Sequence, residues 1–398
     1  MTRVRTALVI GGGIAGPVAA MALRKAGIEP TVYEAYATPA DGVGGMLTVA
    51  PNGLDALRIF GADEAVRAVG QPIEHMVMAD GRGKRIGAIP GLAGLPPSQA
   101  LWRSDLYRAL HDHAVAQGVR MEYGKRLVAV DDTPAGITAQ FADGSSASGD
   151  VLVGADGIRS TVRTLIDPDA PGPEHVPLLN FGAAADIAVP ADPDATYFVF
   201  GKRGFLGYWV QPDGRTAWFG NLPHETPMTT AQAQEVPAAD WLRRLREVYA
   251  DDVPGRDLLE HTSADRLIVL GSIEIMPKLP RWHRGRMVLV GDAAHAPSPS
   301  SGQGASLATE SAVQLARCLR DLPDVPSAFA AYERLRRPRV EKVAARAAKT
   351  NNSKSFGPVA TTLMRLLMPV AMRTFLRPER TLGPEQRYRI AWDEVVAT

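Results

Sequence analysis

Val9-Ile10-Gly11-Gly12-Gly13-Ile14-Ala15-Gly16, or VIGGGIAG, is the stretch that decides how this chain folds. Val4–Ile10 ahead of it is an apolar run rich in β-branched residues and reads as a buried strand. Ile14–Lys25 behind it carries a helical pattern that stops at Gly27, and Pro30–Glu34 reads as a second strand. Strand, glycine turn, helix and strand in about 30 residues make a βαβ unit, the start of a parallel sheet. In the G-x-G-x-x-G spacing, Gly11 permits the tight turn, Gly13 lets the backbone approach a pyrophosphate, and Gly16 lets the helix close on the strand. The helix opens at Ile14 and Ala15, so its first amides meet phosphate charge. Glu34 stands where an acid accepts a ribose hydroxyl, which suits an adenosine with free hydroxyls. These residues predict dinucleotide binding.

Composition fits around that nucleus. At roughly 150 residues per domain, 398 residues predict two or three lobes. Lys+Arg number 44 against 43 Asp+Glu, so no overall field draws nucleic acid or an anionic membrane. The single cysteine, Cys318, excludes an internal disulfide and any Cys-based metal cluster, and favours a reduced, cytoplasmic setting. Arg3 and Arg5 before Ala7–Leu23 imitate a signal peptide, but Gly11–Gly13 break its helical core. A second apolar run, Phe356–Leu376, carries Arg365, Arg373, Pro358 and Pro369; it reads as a packed helix, with peripheral membrane contact as the alternative.

Further along, Ser104–Gln117 reads as an amphipathic helix with Ser104 as N-cap and Gly118 as stop, and Asp143-Gly144 signals a hairpin. From about 176 to 275 strand-like runs dominate: Tyr197–Phe200, Leu206–Val210, Thr216–Gly220 and Leu267–Ile275, with one helix at Ala238–Tyr249. Arg286–Val290 returns as a buried strand, followed by helices over Gly304–Asp321 and Val325–Thr350. The predicted organisation is a nucleotide domain over 1–175 that lends strands near 71–100 to a sheet domain at 176–275. It resumes over 276–350, and a helical segment follows at 351–398.

Two later motifs repeat the first one's logic. In DVLVGADGIRSTVR (Asp150–Arg163) a strand ends at Gly154, and Asp156 can bind a ribose hydroxyl or order the adjoining loop. In RMVLVGDAAHAPSPSSGQGASLATESA (Arg286–Ala312), Asp292 can reach a ribityl or ribose hydroxyl, and Gly302-Gln303-Gly304 opens a helix whose free amides can stabilise negative charge. His295 reads as a structural histidine.

Together the three motifs resemble the FAD-dependent class A aromatic monooxygenases, the para-hydroxybenzoate hydroxylase-like family, over roughly 4–350. The resemblance implies an α/β fold: a Rossmann-like FAD-binding domain with an inserted β-sheet substrate domain and C-terminal helices. It implies Gly11, Gly13, Gly16 and Glu34 at the ADP moiety, Arg103 on the flavin cofactor, and Asp156 and Arg163 in a segment associated with FAD and NAD(P)H. It further implies Asp292 on the ribityl chain, Pro299 beside the isoalloxazine ring, and Gly302, Gln303, Gly304, Ala305 and Ser306 under its pyrimidine edge. Ser306 and Ser311 stand where relatives commonly have Asn and Asp, and no arginine precedes the Asp41–Gly45 segment as it often does in the family. The chemistry implied is reduction of FAD by transient NADH or NADPH, reaction with O2 to a flavin C(4a)-hydroperoxide, and hydroxylation of an aromatic or polyketide-like molecule. Pro299 and Gly302 then position the flavin, and no side-chain acid or base is assigned. Epoxidation, tetracycline-type antibiotic inactivation and FAD or ligand binding without turnover are the alternatives.

Phe198, Phe200, Phe205, Tyr208, Trp209, Trp218 and Phe219 form a dense aromatic set and are the candidate substrate residues. Strand alternation lets one face line a cavity and sends the other to the core. Without a clear arginine pair to clamp a carboxylate, the set favours a largely apolar or multi-ring substrate. No metal and no nucleic-acid partner are expected; the chain is expected to act as a monomer or homodimer.

Overall fold

Thr6–Ile10 lies inside a six-stranded sheet whose order is His283–Arg284, Met287–Leu289, Val151–Gly154, Thr6–Ile10, Glu29–Tyr33 and Arg120–Glu122. All neighbours run parallel except the first pair. Covered on both faces, such strands are apolar throughout, as all four buried residues of Val151–Gly154 illustrate. The computed structural model describes residues 4–39, 44–352 and 377–397. The apolar run Phe356–Leu376 lies outside the described residues.

Register determines what the sheet does. Ile10 stands opposite both Tyr33 and Gly154, and Gly154 opposite Leu289. The three glycine turns therefore leave the same edge of the sheet side by side, where open α/β sheets bind ligands. The helices Ala15–Lys25 and Gly304–Asp321 start from that edge and pack on each other. The long helix Val325–Asn352 packs over Gly304–Asp321, and Tyr332 Oη donates to Leu289 O at 3.0 Å, tying it back to the sheet.

A seven-stranded sheet forms the second layer. Its order is Ile268–Ile275, Glu174–Ala185, Thr216–Pro223, Phe205–Val210, Ala195–Phe200, His75–Asp80 and Arg85–Pro90. One face buries Phe181, Leu206, Tyr208 and Trp218 against Trp241, Leu245 and Tyr249 of the helix Ala238–Tyr249. The opposite face packs partly against a three-stranded sheet of Met46–Val49, Ser98–Trp102 and Gln71–Ile73.

Three expectations change. The helix expected from Ser104 starts at Arg103, and Ser104 makes no capping bond. The strand Ser98–Trp102 runs straight into it, and Arg103 N–H is already held by Gly45 O at 2.9 Å. The longest strand, Glu174–Ala185, was not foreseen, because EHVPLLNFGAAA lacks clean alternation and carries two register shifts. The single helix expected within the sheet region is joined by Thr230–Glu235 and Gly255–Glu260; the first carries a capping box between Thr229 and Gln232.

Candidate active site

The fingerprint turn is built by close approach. Gly11 has φ +102°, and a Cβ there would lie 2.5 Å from Ala155 O. On Gly16 it would lie 1.9 Å from Gly11 O, so helix and turn touch through backbone alone. A Cβ on Gly13 would meet nothing within 4 Å, which leaves open space in front of the amides that lead to Ile14 and Ala15. Glu34 closes one side: its Oε2 accepts Gly12 N–H at 2.6 Å and its Oε1 accepts Tyr36 N–H at 2.9 Å.

At the Asp-Gly turn the Asp156 side chain does what the second of its two sequence readings expects. Asp156 Oδ1 accepts Ser160 Oγ–H at 2.5 Å and Oδ2 accepts Val162 N–H at 3.0 Å, so both oxygens order the loop. Burial raises its carboxyl pKa in spite of these bonds. Arg163 is buried; its guanidinium donates to Ile158 O at 2.8 Å and Ala293 O at 3.3 Å. Its side chain is a strut between the second and third turns.

At the third turn, Gly291 (φ +58°) fits against Ala15 and Ala308, where the two helices meet. Asp292 opens onto solvent at the sheet edge, yet surrounding protein pushes its carboxyl up to about 6, with Arg103 pulling the other way. A Cβ on Gly44 (φ +105°) would stand 2.5 Å from Arg103 Cδ, so the arginine stem lies across that glycine. Pro299 is exposed and begins the short turn Pro299–Ser301; Gly302 follows in the left-handed region with φ +60°. Cβ atoms on Gly302 and Gly304 would meet nothing within 4 Å, and Ala305 is half-buried beside them. Ser306 is fully buried, and its Oγ accepts Ala50 N–H at 3.1 Å.

Behind this loop lies a group that sequence reading missed. Glu310 accepts from Arg339 and Asn52 at 2.7 Å and pairs with Arg336 at 2.7 Å, while the same Asn52 amide donates to Gln303 Oε1 at 2.9 Å. A glutamate on the apolar side of Gly304–Asp321 was the available signal. His295 is buried with Nε2 2.8 Å from Ser311 Oγ; burial, then Arg336, pushes its pKa down to about 3 and keeps it neutral. A hollow behind the loop, lined by Trp282, His295, Arg337 and Val340 among others, includes none of Gly13, Arg103, Asp292 or Gly302. Among the described residues no cluster of His, Cys, Asp and Glu could hold a metal, and no helix is long and apolar enough to cross a membrane.

The aromatic set divides by face. Tyr197, Tyr208 and Trp218 stand opposite one another on the helix-covered side, and Trp218 Nε1–H donates to Thr262 Oγ1 at 2.9 Å. Tyr208 and Trp218 are therefore core residues, a correction to their place among substrate candidates. Phe198 and Phe219 flank Gly207 on the other face, with Phe200 and Phe205 beside them; ring centroids lie 5.6–6.3 Å apart. Trp209 shares that face but is 4% exposed, packed against Ile73, Ala100 and Ala217. Gly44–Met46 joins this face to Arg103. A Cβ on Gly182 would sit 3.0 Å from Met46 Cε, and one on Gly45 would sit 3.2 Å from Leu270 Cδ1.

Comparison with known proteins agrees with this geometry. Residues 4–347 match the family model described as "FAD binding domain". The chain is 31% identical to the aurachin C monooxygenase/isomerase of Stigmatella aurantiaca, over 79% of this chain and 80% of that protein. It is also 31% identical to an FAD-dependent urate hydroxylase of Klebsiella pneumoniae, over 79% and 81% of the two chains. The crystal structure of Klebsiella pneumoniae HpxO with FAD and uric acid superposes with a TM-score of 0.81 at 26% identity, covering 96% of each chain. The chain belongs to this FAD-binding-domain family and is an FAD-dependent monooxygenase, an oxidoreductase that works with NAD(P)H and O2.

Proposed function

We propose that the chain hydroxylates an uncharged, largely apolar aromatic molecule held between the open sheet face and FAD at the sheet edge. The observation that carries this reading is the Gly44–Met46 link, which runs from Arg103 at the cofactor edge to Gly182 and Leu270 on the phenylalanine-lined face.

The cleft residues fit the cofactor. The open space before Gly13 and the helix start at Ile14 and Ala15 suit a diphosphate, and Glu34 suits the adenosine ribose. Asp292 would take a ribityl hydroxyl, and Arg103, lying over Gly44, would supply positive charge to the cofactor. Gly304 and Ala305 would present free helix amides to the anionic edge of the flavin; Gly302 and Gln303, whose own N–H groups bond Pro299 O and Ser301 Oγ, would shape the turn beside it, with Pro299 at its flank. When bound, FAD takes hydride from NAD(P)H and activates O2 for transfer of one oxygen atom to the substrate. The protein's own work is to hold the ring, stabilise charge through backbone amides and keep water from the reacting edge. The urate and aurachin relatives act on ring compounds by their names, which supports an aromatic substrate here. Cys318, buried and unpaired, suits a reduced cytoplasmic setting.

Oxygen uptake by the purified holoprotein, screened against neutral and anionic aromatics with NADH and NADPH, tests the reading. Ligand-stimulated uptake with a product heavier by one oxygen supports it. Reduction without any oxygenated product across the panel overturns it.

A further inference from the structure

On the open sheet face, Asn180 and Asn221 stand directly opposite each other in the ladder, and Asn221 Nδ2 donates to Asn180 Oδ1. Asn221 is 6% exposed, and its backbone is pinned from behind by Tyr249, whose hydroxyl donates to Phe205 O and Asn221 O. Among the described residues, neither the Asn180 amino group nor the Asn221 carbonyl has another partner, and neither is sealed from solvent. Whichever way the amides are turned, the pair keeps one whole amino group and one carbonyl oxygen that the bond between them does not use, available to a ligand. Asn180 neighbours Leu270 in the same ladder, and Leu270 is the residue that touches Gly45. The amide pair thus sits within the apolar face, beside the segment leading to Arg103.

Charge on this face is as informative. The strands Glu174–Ala185, Ala195–Phe200, Phe205–Val210, Thr216–Pro223 and Ile268–Ile275 contain no lysine or arginine. A ring carboxylate laid on these five strands would lose water and find no strand-borne cation to compensate it. A neutral ring that carries a donor and an acceptor on adjacent atoms, as a lactam does, would satisfy both free amide groups and bury its carbons on the phenylalanines.

We propose that Asn180 and Asn221 are the specificity-determining pair of the substrate site. They select uncharged ring compounds that bear an adjacent donor and acceptor, and reject ring carboxylates. This rests on the reading that the face receives substrate.

Calorimetric titration of the holoprotein with 2-quinolone, quinoline and 2-naphthoate tests the pair. The expected result is at least about tenfold tighter binding of 2-quinolone than of the other two, because a site built to hydrogen-bond rejects analogues that lack the groups. That preference should vanish in both Asn180→Leu and Asn221→Leu, with quinoline affinity unchanged. Equal binding of 2-naphthoate, or a preference that survives in the leucine variants, overturns the proposal. Flavin absorbance of the same samples reports separately on the cofactor: protein without flavin argues against the functional reading, while the titration still reads the amide pair.

Discussion

The Glu310 carboxylate lies 2.7 Å from the Arg336 guanidinium, and both side chains are fully buried. Arg339 and Asn52 complete the site, and Asn52 carries the connection on to Gln303, the residue before the helix that opens at the cofactor edge. Glu310, through its two ion pairs, thereby ties the long helix Val325–Asn352 to the 299–303 loop.

Removing one partner of this pair strands a buried charge. Glu310→Ala is expected to cost about 3–5 kcal/mol of unfolding free energy, measurable by denaturant titration. Burial alone would raise the Glu310 pKa, but Arg336, Arg339 and Asn52 outweigh it and hold it below the usual range. A depressed carboxylate contributes stability above its unfolded pKa and loses it as pH falls through the folded value. The deficit of Glu310→Ala should therefore be full at neutral pH and shrink in acid.

Gly16 and Gly13 separate folding from binding. Gly16→Ala places a methyl group against Gly11 O and should abolish soluble protein or lower Tm severely. Gly13→Ala meets open space, so the apoprotein should melt near wild type while FAD affinity falls at least about tenfold. Tm and 450 nm absorbance after reconstitution distinguish the two; equal behaviour of the variants would sink the assignment of Gly13.

Asp292 should make the apoprotein less stable as pH rises. Its folded pKa stands at about 6 against 3.8 for the free residue, so between those values the folded state binds more protons than the unfolded. Stability falls through that window and is flat above it. In Asp292→Asn this loss is absent, so the variant's Tm advantage over wild type should grow from pH 4 to pH 6 and then hold. FAD loading of the variant should weaken at every pH.

Face assignment predicts opposite consequences for two aromatic residues. Trp218→Ala should cost about 3–5 kcal/mol, since it empties a fully buried site and leaves Thr262 without its donor. Phe198→Ala, half-buried on the open face, should cost much less stability and raise KM for the aromatic substrate. Measured unfolding free energies and KM values that fail to separate the two would contradict the division.

Much of this was legible in the chain itself, because local rules suffice where backbone geometry is the message. Gly11, Gly13 and Gly16 announce a turn that only glycine can make, and Gly304–Asp321 and Ala238–Tyr249 fall where their patterns place them. Side-chain destinations were harder to read. Asp156 and Arg163 in DVLVGADGIRSTVR bond Ser160, Val162, Ile158 and Ala293, the last of them 130 residues away. Likewise Ser306 finds Ala50, 256 residues back in the chain.

The sequence alone determined that three strand-to-helix turns would be present, that the first would suit a dinucleotide, and that the aromatic run would form a sheet with one usable face. These follow from φ angles, steric limits and alternation, all properties of short segments. Only the tertiary structure decided which face that was, that Tyr208 and Trp218 belong to the core, and that Glu310, Arg336, Arg339 and Asn52 meet behind the 299–303 loop. Those outcomes depend on register and on contacts between segments far apart in the chain, which no local pattern encodes.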